Sequence, residues 1–454
     1  MTPLHVVILA AGQGRRMRSS LPKVLHLLAG RPLLSHVIDA ANALGAARVH
    51  VVHGYGGGIV REAMSAADVE WVEQREQLGT GHALSLAMPG IPDDATVLVL
   101  CGDVPLVNPN TLHETTTLAA GSGIALITAV VDDPSGYGRI VRDRDGHVLD
   151  IVEERDAGDG QRGIAEINTG ILAAESARLR GWVRGLSRNN VQGEYYLTDV
   201  VARAVEEGLS VRTVPPESIE EVLGVNDRVQ LATLERLHQR RLAESLMREG
   251  ASLADPARVD IRGHVRTGSD VFVDVNVVFE GDVELGDRVN IGPGCVIRDT
   301  VIEHDTEVRA HCVIEGARIG VACQIGPFAR LRPDTRLSRE VRIGNFVETK
   351  NATIGEGSKA NHLTYIGDSR IGRDVNVGAG VVTCNYDGAY KHTTVIGDNA
   401  FIGSGVMLVA PITVHAGATI GAGSTIGKDA PPDALTLTRG PQRTFEGWKR
   451  PRKD

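Results

Sequence analysis

The chain is poor in aromatic residues: Phe, Trp and Tyr make up 4% of its 454 positions. Aromatic clusters therefore cannot supply most of its core, and aliphatic side chains must do so. Its five cysteines (Cys101, Cys295, Cys312, Cys323 and Cys384) are odd in number and contain no CxxC pair. This argues against a disulfide framework or a zinc site and predicts reduced cytosolic thiols. No run approaches the roughly eighteen apolar residues that cross a bilayer. The opening MTPLHVVILAAG lacks the basic start and long apolar stretch of a secretory signal. An excess of positive charge is also absent. The net charge is -9, so neither nucleic acid nor a membrane surface is an expected partner. The expectation is a soluble, cytoplasmic protein of two or three domains that binds anions only where it gathers cations locally.

What the chain does have is an aliphatic residue at every sixth position. The ladder reads Ile261, Thr267, Val273, Phe279, Leu285, Ile291 and Ile297, slips to Ile302, Val308 and Ile314, and slips again to Ile319, Ile325, Leu331, Leu337 and Ile343. It continues through Ile354, Ile366, Ile371 and Val377 and closes with Ile396, Ile402, Leu408, Val414, Ile420 and Ile426. A period of six is neither helical nor a strand alternation. A short fixed period marks stacked units that cannot bury their faces singly. IGPGCV, IGAGST and VGAGVV complete the unit, with Gly at the turn and a small residue four places after the aliphatic. Three hexads then close one coil of a triangular parallel β-helix, predicted over 251–429. The tail 430–454, with several prolines and basic residues, reads as an irregular arm with its last few residues mobile.

Residues 1–226 read differently. HVVILA, RVHVVHG, ATVLVLCGD and GIALITAVV are short apolar strands, and PLLSHVIDAANALG between them has helical spacing. Strands alternating with helices predict a Rossmann-like α/β domain with a mostly parallel sheet. Residues 227–250 lack Gly and Pro until Gly250 and are predicted to form a long linker helix.

The first strand runs into LAAGQGRRM (Leu9 to Met17), followed by LPKVL (Leu21 to Leu25). A glycine-rich turn after a strand exposes backbone N–H groups to phosphates. The string is neither a Walker A loop nor a GxGxxG fingerprint. Leu9, Ala10, Ala11 and Gly12, with Arg16 and Lys23, point at one polyphosphate. Asp103, in LCGDVPL, falls just past a strand end, where an open α/β sheet places its ligands and where an Asp also serves as a helix cap.

The string from Leu9 to Leu25 resembles the signature of the sugar-nucleotide pyrophosphorylases. That resemblance implies nucleotidyl transfer from UTP, with Arg16 and Lys23 catalytic. It further implies that Gln74, Gly79 and Thr80 contact uracil, and that Asp103 and Asn226 hold Mg²⁺. GYGRI, IVEE and EINTG resemble sugar-binding strings of the family, which places Gly138, Glu153 and Asn168 on the sugar. QGEYYLTD (Gln192 to Asp199) is implied to line the same pocket. Cys101 stands where some relatives have an aromatic.

In the ladder, polar neighbours of rung residues face outward by strand alternation. Arg332, Lys350, Tyr365 and Asn376 are such neighbours, and His362 falls near a corner. The five lie on coils between Leu331 and Val377 and are expected to form one outward patch. The period resembles the left-handed hexapeptide-repeat acyltransferases. RLRP, NFVETKN, KANHLTYIGD and TCNYDG resemble the family of bifunctional bacterial N-acetylglucosamine-1-phosphate uridylyltransferases/glucosamine-1-phosphate acetyltransferases, and with them the resemblance covers nearly the whole chain. It implies that His362 is the general base and that Arg332 and Lys350 hold the sugar phosphate. Tyr365, Asn376 and Tyr386 would position the sugar, with Asn385 in the same site. Ala379, Ser404, Ala422 and Arg439 match acetyl-CoA contacts. The implied ligands are UTP, acetyl-CoA, Mg²⁺ and amino-sugar 1-phosphates. The implied assembly is a homotrimer, and the implied product, UDP-N-acetylglucosamine, feeds cell-envelope synthesis. Two other readings compete. One is a monofunctional nucleotidyltransferase with a scaffold β-helix, against which the residues around His362 speak. The other is a non-enzymatic nucleotide sensor, against which Lys23, Asp103 and Asn226 speak.

Overall fold

The computed structural model describes residues 2–451; the mobility expected of the last few residues falls partly on 452–454, outside them. The chain forms two compact units, Met1–His238 and Gln239–Asp454. Among the described residues, no helix is long and apolar enough to cross a membrane.

The first unit is built on one sheet of nine strands: β1 (Leu4–Ala10), β2 (Arg48–His53), β3 (Glu70–Glu73), β4 (Thr96–Cys101), β5 (Ile124–Val130), β6 (Gly138–Arg142), β7 (Val148–Val152), β8 (Glu166–Glu175) and β9 (Arg212–Val214). The order is β9-β5-β8-β4-β1-β2-β3, with β6 pairing β8 and β7 pairing β6. β1 runs parallel to both neighbours, β2 and β4, while β8 is antiparallel to β4 and β5. The sheet is therefore mixed but mostly parallel. Its strands are apolar on both faces because both are covered. Val6, Ile8, Leu98 and Leu100 pack with the helices Leu33–Ala43 and Pro109–Ser122. Val7, Val97 and Val99 pack with Thr80–Ala87, Ser176–Arg184 and Asp199–Glu206. Chain order reverses direction about β1, so the carboxyl ends of β1 and β4 open a crevice for a ligand.

The helix Arg228–Arg248 contains the division between the units. In the first unit its Leu234 is buried with Met17, Leu28, Leu33, Leu106 and Val225. In the second, Leu246 joins the β-helix core, and the buried Gln239 bonds the backbone of Ile261 through both ends of its amide, at 2.6 and 2.8 Å.

The second unit is a parallel β-helix. One face is an eleven-stranded sheet from Ser252–Leu253 to Leu435–Thr436. The other two faces belong to a single sheet, because strands such as Glu348–Ile354 and Tyr365–Ile371 bend around the corner. Most coils take seventeen or eighteen residues, since Asn290 pairs Glu307 and Val278 pairs Val296. The first, where Ser252 pairs Phe272, is longer and the last, where Thr419 pairs Leu435, shorter, and an insertion after Cys384 sets Asn376 opposite Phe401. The aliphatic rungs are buried, and so are the small residues four places on, including Cys295, Cys312, Cys323 and Ser424. Thr267, Thr349 and Thr383 break the apolar column; Thr267 is half-buried with its hydroxyl unpartnered among the described residues, whereas Thr349 and Thr383 are buried and hydrogen-bonded. Each buried aliphatic contributes about 1.5–3 kcal/mol. The outer column of Arg262, Glu280, Arg298 and Glu315 forms exposed ion pairs worth about 0–1 kcal/mol each. The lumen, not the charged exterior, holds the coils together.

Candidate functional site

In the first unit, the backbone leaving β1 and the residues after β4 border a cavity of about 750 Å³. It is lined by Leu9, Ala10, Ala11, Gly12, Lys23, Gln74, Gly79, Thr80 and Asp103, together with Gln13, Arg15, Gln77, Cys101 and Glu194. Gly14 lets the loop fold over Lys23. Its φ is +62°, and a Cβ there would stand 2.7 Å from Lys23 Cβ. The Lys23 ammonium donates to the Asp103 carboxylate and, at 3.3 Å, to Asn226 Oδ1. Asn226 is brought there by the neighbouring backbone, where Val225 N–H donates to Asp103 O at 2.9 Å. Two hard oxygen donors thus converge on one cation, a donor set that suits a divalent metal held mainly by substrate phosphates.

Gln74 is buried and donates to Gly79 O at 3.1 Å. Gly79 has φ +111°, and a Cβ there would lie 2.5 Å from Tyr195 O, so no side chain fits. Gly81 N–H donates to Tyr195 O, and Leu197 N–H donates to the Thr80 hydroxyl. These bonds fix the 74–80 loop to the QGEYYLTD segment. The Cys101 thiol packs against Gly170. Burial, with the Asp103 charge adding, pushes it up to about 12, so it is a neutral wall and not a nucleophile.

Glu153, Gly138 and Asn168 meet beside this cavity. A Cβ on Gly138 would touch Ile151, Asn168 Cβ and Glu153 Oε2. Burial pushes the Glu153 carboxyl up, and the Asp199 and Asp156 charges add, against a hydrogen bond from the Thr198 hydroxyl at 3.0 Å. Arg139, whose side chain is 2% exposed, crosses behind them to Glu154, 34% exposed, at 2.6 Å.

In the second unit the residues near His362 flank one corner of the prism. Lys359–His362 and Asn376–Val377 lie on one face. Lys350 and Tyr365 lie on the next, with Arg332 one coil above Lys350. His362 and Lys350 border separate cavities, one on either side of this corner, and Arg332, Tyr365 and Asn376 line neither of the two. One, of about 330 Å³, is bordered by His362, Asn345, Arg309 and Arg342, with Gln324 and Asn361. His362 Nδ1 lies 3.1 Å from Asn345 Oδ1. The other, of about 480 Å³, is bordered by Lys350, Lys391, Asp334, Asn351 and Asp368, with His392 and Thr393. Lys391 and then Arg332 push the Lys350 ammonium below the usual lysine range, as expected where cations converge to hold an anion. Buried Asp368 accepts from the Asn351 amide at 2.6 Å and from the Asn385 amide. The insertion carrying Asn385 and Tyr386 is a short hairpin, closed by the Tyr386–Lys391 bridge and braced by Asp387. Ala379, Ser404 and Ala422 stack on successive coils. Gly405 N–H donates to Ala379 O and Gly423 N–H to Ser404 O, while Arg439 Nη2 lies beside Gly421.

Residues 6–253 match the MobA-like NTP transferase domain, 261–343 the GMPPB C-terminal domain, and 393–428 six repeats of the bacterial transferase hexapeptide. The chain is 56% identical over 453 residues to the bifunctional protein GlmU of Marinobacter nauticus, covering 100% of both. It belongs to the bifunctional GlmU family. The GlmU proteins of Azoarcus sp. (55% over 450 residues, 99% of this chain and 100% of that one) and Acinetobacter baumannii (54% over 448 residues, 99% and 98%) are similarly close.

Within this GlmU-family chain, the cavity of the first unit takes in the predicted residues from Leu9 to Gly12, with Lys23, Gln74, Gly79, Thr80 and Asp103. Arg16 is exposed and is not among the lining residues; its neighbour Arg15 is, braced by Gln13 at 2.7 Å. Gly138, Glu153 and Asn168 adjoin one another but do not line that cavity. Glu194 comes from the QGEYYLTD segment expected at the pocket; sequence reasoning missed Arg15, Gln13, Asn345, Asp368 and Lys391. NFVETKN, KANHLTYIGD and the stretch after NYDG contained the last three, but only the coil register gave each its neighbour.

Proposed function

We propose that the chain carries out two consecutive reactions on one amino sugar, acetyl transfer on the β-helix and uridylyl transfer on the α/β unit. In the first, the amine of glucosamine 1-phosphate attacks the acetyl-CoA thioester carbonyl, His362 takes the proton, and CoA thiolate leaves. An imidazole suits this because its pKa lies near working pH. Arg332, Lys350 and Lys391 hold the sugar phosphate. Tyr365, Asn376, Asn385 and Tyr386 position the sugar, and Ala379, Ser404, Ala422 and Arg439 receive acetyl-CoA.

In the second reaction, a phosphate oxygen of N-acetylglucosamine 1-phosphate attacks the α-phosphorus of UTP in line and pyrophosphate leaves. The nucleophile is already an anion, so no protein base is needed. Positioning and charge neutralisation supply the catalysis. Lys23 and Arg16 neutralise phosphate charge, the backbone from Leu9 to Gly12 cradles it, and Gln74, Gly79 and Thr80 read the base. Gly138, Glu153 and Asn168 bind the sugar. Asp103 and Asn226 would hold Mg²⁺, which when bound supplies further charge neutralisation at the phosphates.

The domains are assigned as 1–226 for nucleotidyl transfer, 227–250 as linker, 251–429 for acetyl transfer and 430–454 as an arm. The acetyltransferase site is assigned to a homotrimer in the cytoplasm. His362 and Lys350 border different cavities on the two sides of one corner, an arrangement that favours completion of the site by a second copy. The observation that carries the whole reading is that one chain holds both the cation-binding pair under the glycine-rich loop and a β-helix corner with His362 on one side and the lysines Lys350 and Lys391 on the other.

The test is thiol release from acetyl-CoA and glucosamine 1-phosphate without UTP. Release that disappears in His362→Ala is expected. A folded, trimeric sample that releases no CoA would leave a nucleotidyltransferase on a scaffold. Light scattering on the same sample tests the trimer, and an active monomer would refute it.

A further inference from the structure

We infer that Asn345 is a positioning residue for acetyl transfer, holding the His362 ring so that Nε2 carries the free lone pair. The inference rests on the base role given to His362 above.

Asn345 and His362 are partners in adjacent coils, at the ends of the strands Arg342–Asn345 and Lys359–His362. Two further bonds fix their backbones. Leu363 N–H donates to Asn345 O at 3.1 Å, and the Thr364 hydroxyl donates to His362 O at 2.7 Å. The side chains then meet, His362 Nδ1 to Asn345 Oδ1, at 3.1 Å. A carboxamide oxygen can only accept, so the ring must donate from Nδ1. In the neutral ring the lone pair then sits on Nε2, where it can take a proton from the attacking amine.

The cavity that His362 and Asn345 share is bordered by Arg309 and Arg342, with no carboxylate among the described residues that line it. A neutral acceptor orients the imidazole without placing a negative charge beside it. The geometry turns the ring correctly before the substrate arrives.

The test compares Asn345→Leu and Asn345→Asp in the full chain, by CoA release across pH, with uridylyl transfer measured on the same samples as a control. Asn345→Leu is expected to lower kcat for acetyl transfer about tenfold or more while KM for the amino sugar changes little. Asn345→Asp keeps an acceptor in place and is expected to retain more turnover. Its carboxylate stabilises the imidazolium, so the acid limb of the kcat profile moves to higher pH by about one unit. Wild-type kcat in Asn345→Leu, or an unmoved acid limb in Asn345→Asp, overturns the inference. If Asn345→Leu does not fold, the acid limb of Asn345→Asp decides alone. His362→Ala is run alongside. If it retains acetyl transfer, the base role itself fails; if it is inactive while Asn345→Leu is not, only the role of Asn345 fails.

Discussion

Lys23→Met should tighten metal binding while it abolishes turnover. The Lys23 ammonium is held by the Asp103 carboxylate and Asn226 Oδ1, the two oxygens assigned to Mg²⁺. Lysine and metal therefore compete for the same donors before nucleotide arrives. The side chains of Lys23 and Asp103 are 15% and 20% exposed. Two unit charges about 4 Å apart attract by about 4 kcal/mol at an effective dielectric near 20, and desolvation cancels much of that. A net advantage of about 1–2 kcal/mol remains for a metal that no longer displaces the ammonium. At about 1.4 kcal/mol per tenfold, Mn²⁺ should bind the nucleotide-free variant about tenfold more tightly than wild type. Turnover moves the other way, because the phosphates lose a preorganised cation worth about a hundredfold to a thousandfold in rate. Calorimetric titration with Mn²⁺ reads the affinity, and pyrophosphate release reads the rate. A folded Lys23→Met protein that binds Mn²⁺ no more tightly than wild type would refute the competition. Wild-type turnover would remove Lys23 from the mechanism.

Four other outcomes are expected. Glu153→Gln should stabilise the first unit near neutral pH while weakening sugar-phosphate binding. The Glu153 pKa is raised in the fold, so its ionised form costs stability as pH rises through that pKa; thermal melts of wild type and variant should converge in acid. Glu154→Ala should cost the first unit more than Arg139→Met, because it strands a guanidinium that is 2% exposed whereas Glu154 alone is 34% exposed to water; melting by uridylyl-activity loss separates the two. Ile314→Ala, at a fully buried rung, should lower β-helix stability by about 2–5 kcal/mol and leave uridylyl transfer intact at 25 °C. Asp368→Asn removes the anion that aligns the Asn351 and Asn385 amides; KM for glucosamine 1-phosphate should rise with uridylyl kinetics unchanged, and an unchanged KM would make Asp368 purely a corner residue.

The β-helix was readable in the sequence because its physics is local. A rung is buried by its own coil geometry, so its residue is aliphatic almost throughout from Val273 onward, wherever the coil happens to sit. The glycine-rich turn was readable for the same reason: Gly14 and Gly79 occupy backbone conformations and contacts that side chains disfavour or clash with. The cysteines had no visible role, and the fold places three of them as small residues at the narrow corners of the lumen. Arg15 and Arg16 could not be ranked from spacing, since a turn of left-handed and 3₁₀ conformations decides which one faces the cavity.

The sequence alone determined which residues are buried in the coils, where strands give way to helices, and which strings could meet phosphate. Only the tertiary structure decided who stands beside whom. Asn345 meets His362, and Asp368 meets both Asn351 and Asn385, because one coil happens to take seventeen residues there. Coil length is the sum of three faces and three corners, and the length of each coil decides which residue of the next one stands opposite. Burial is a property of each residue with its own coil; a site is a property of register between coils, and register is fixed only when the whole stack closes.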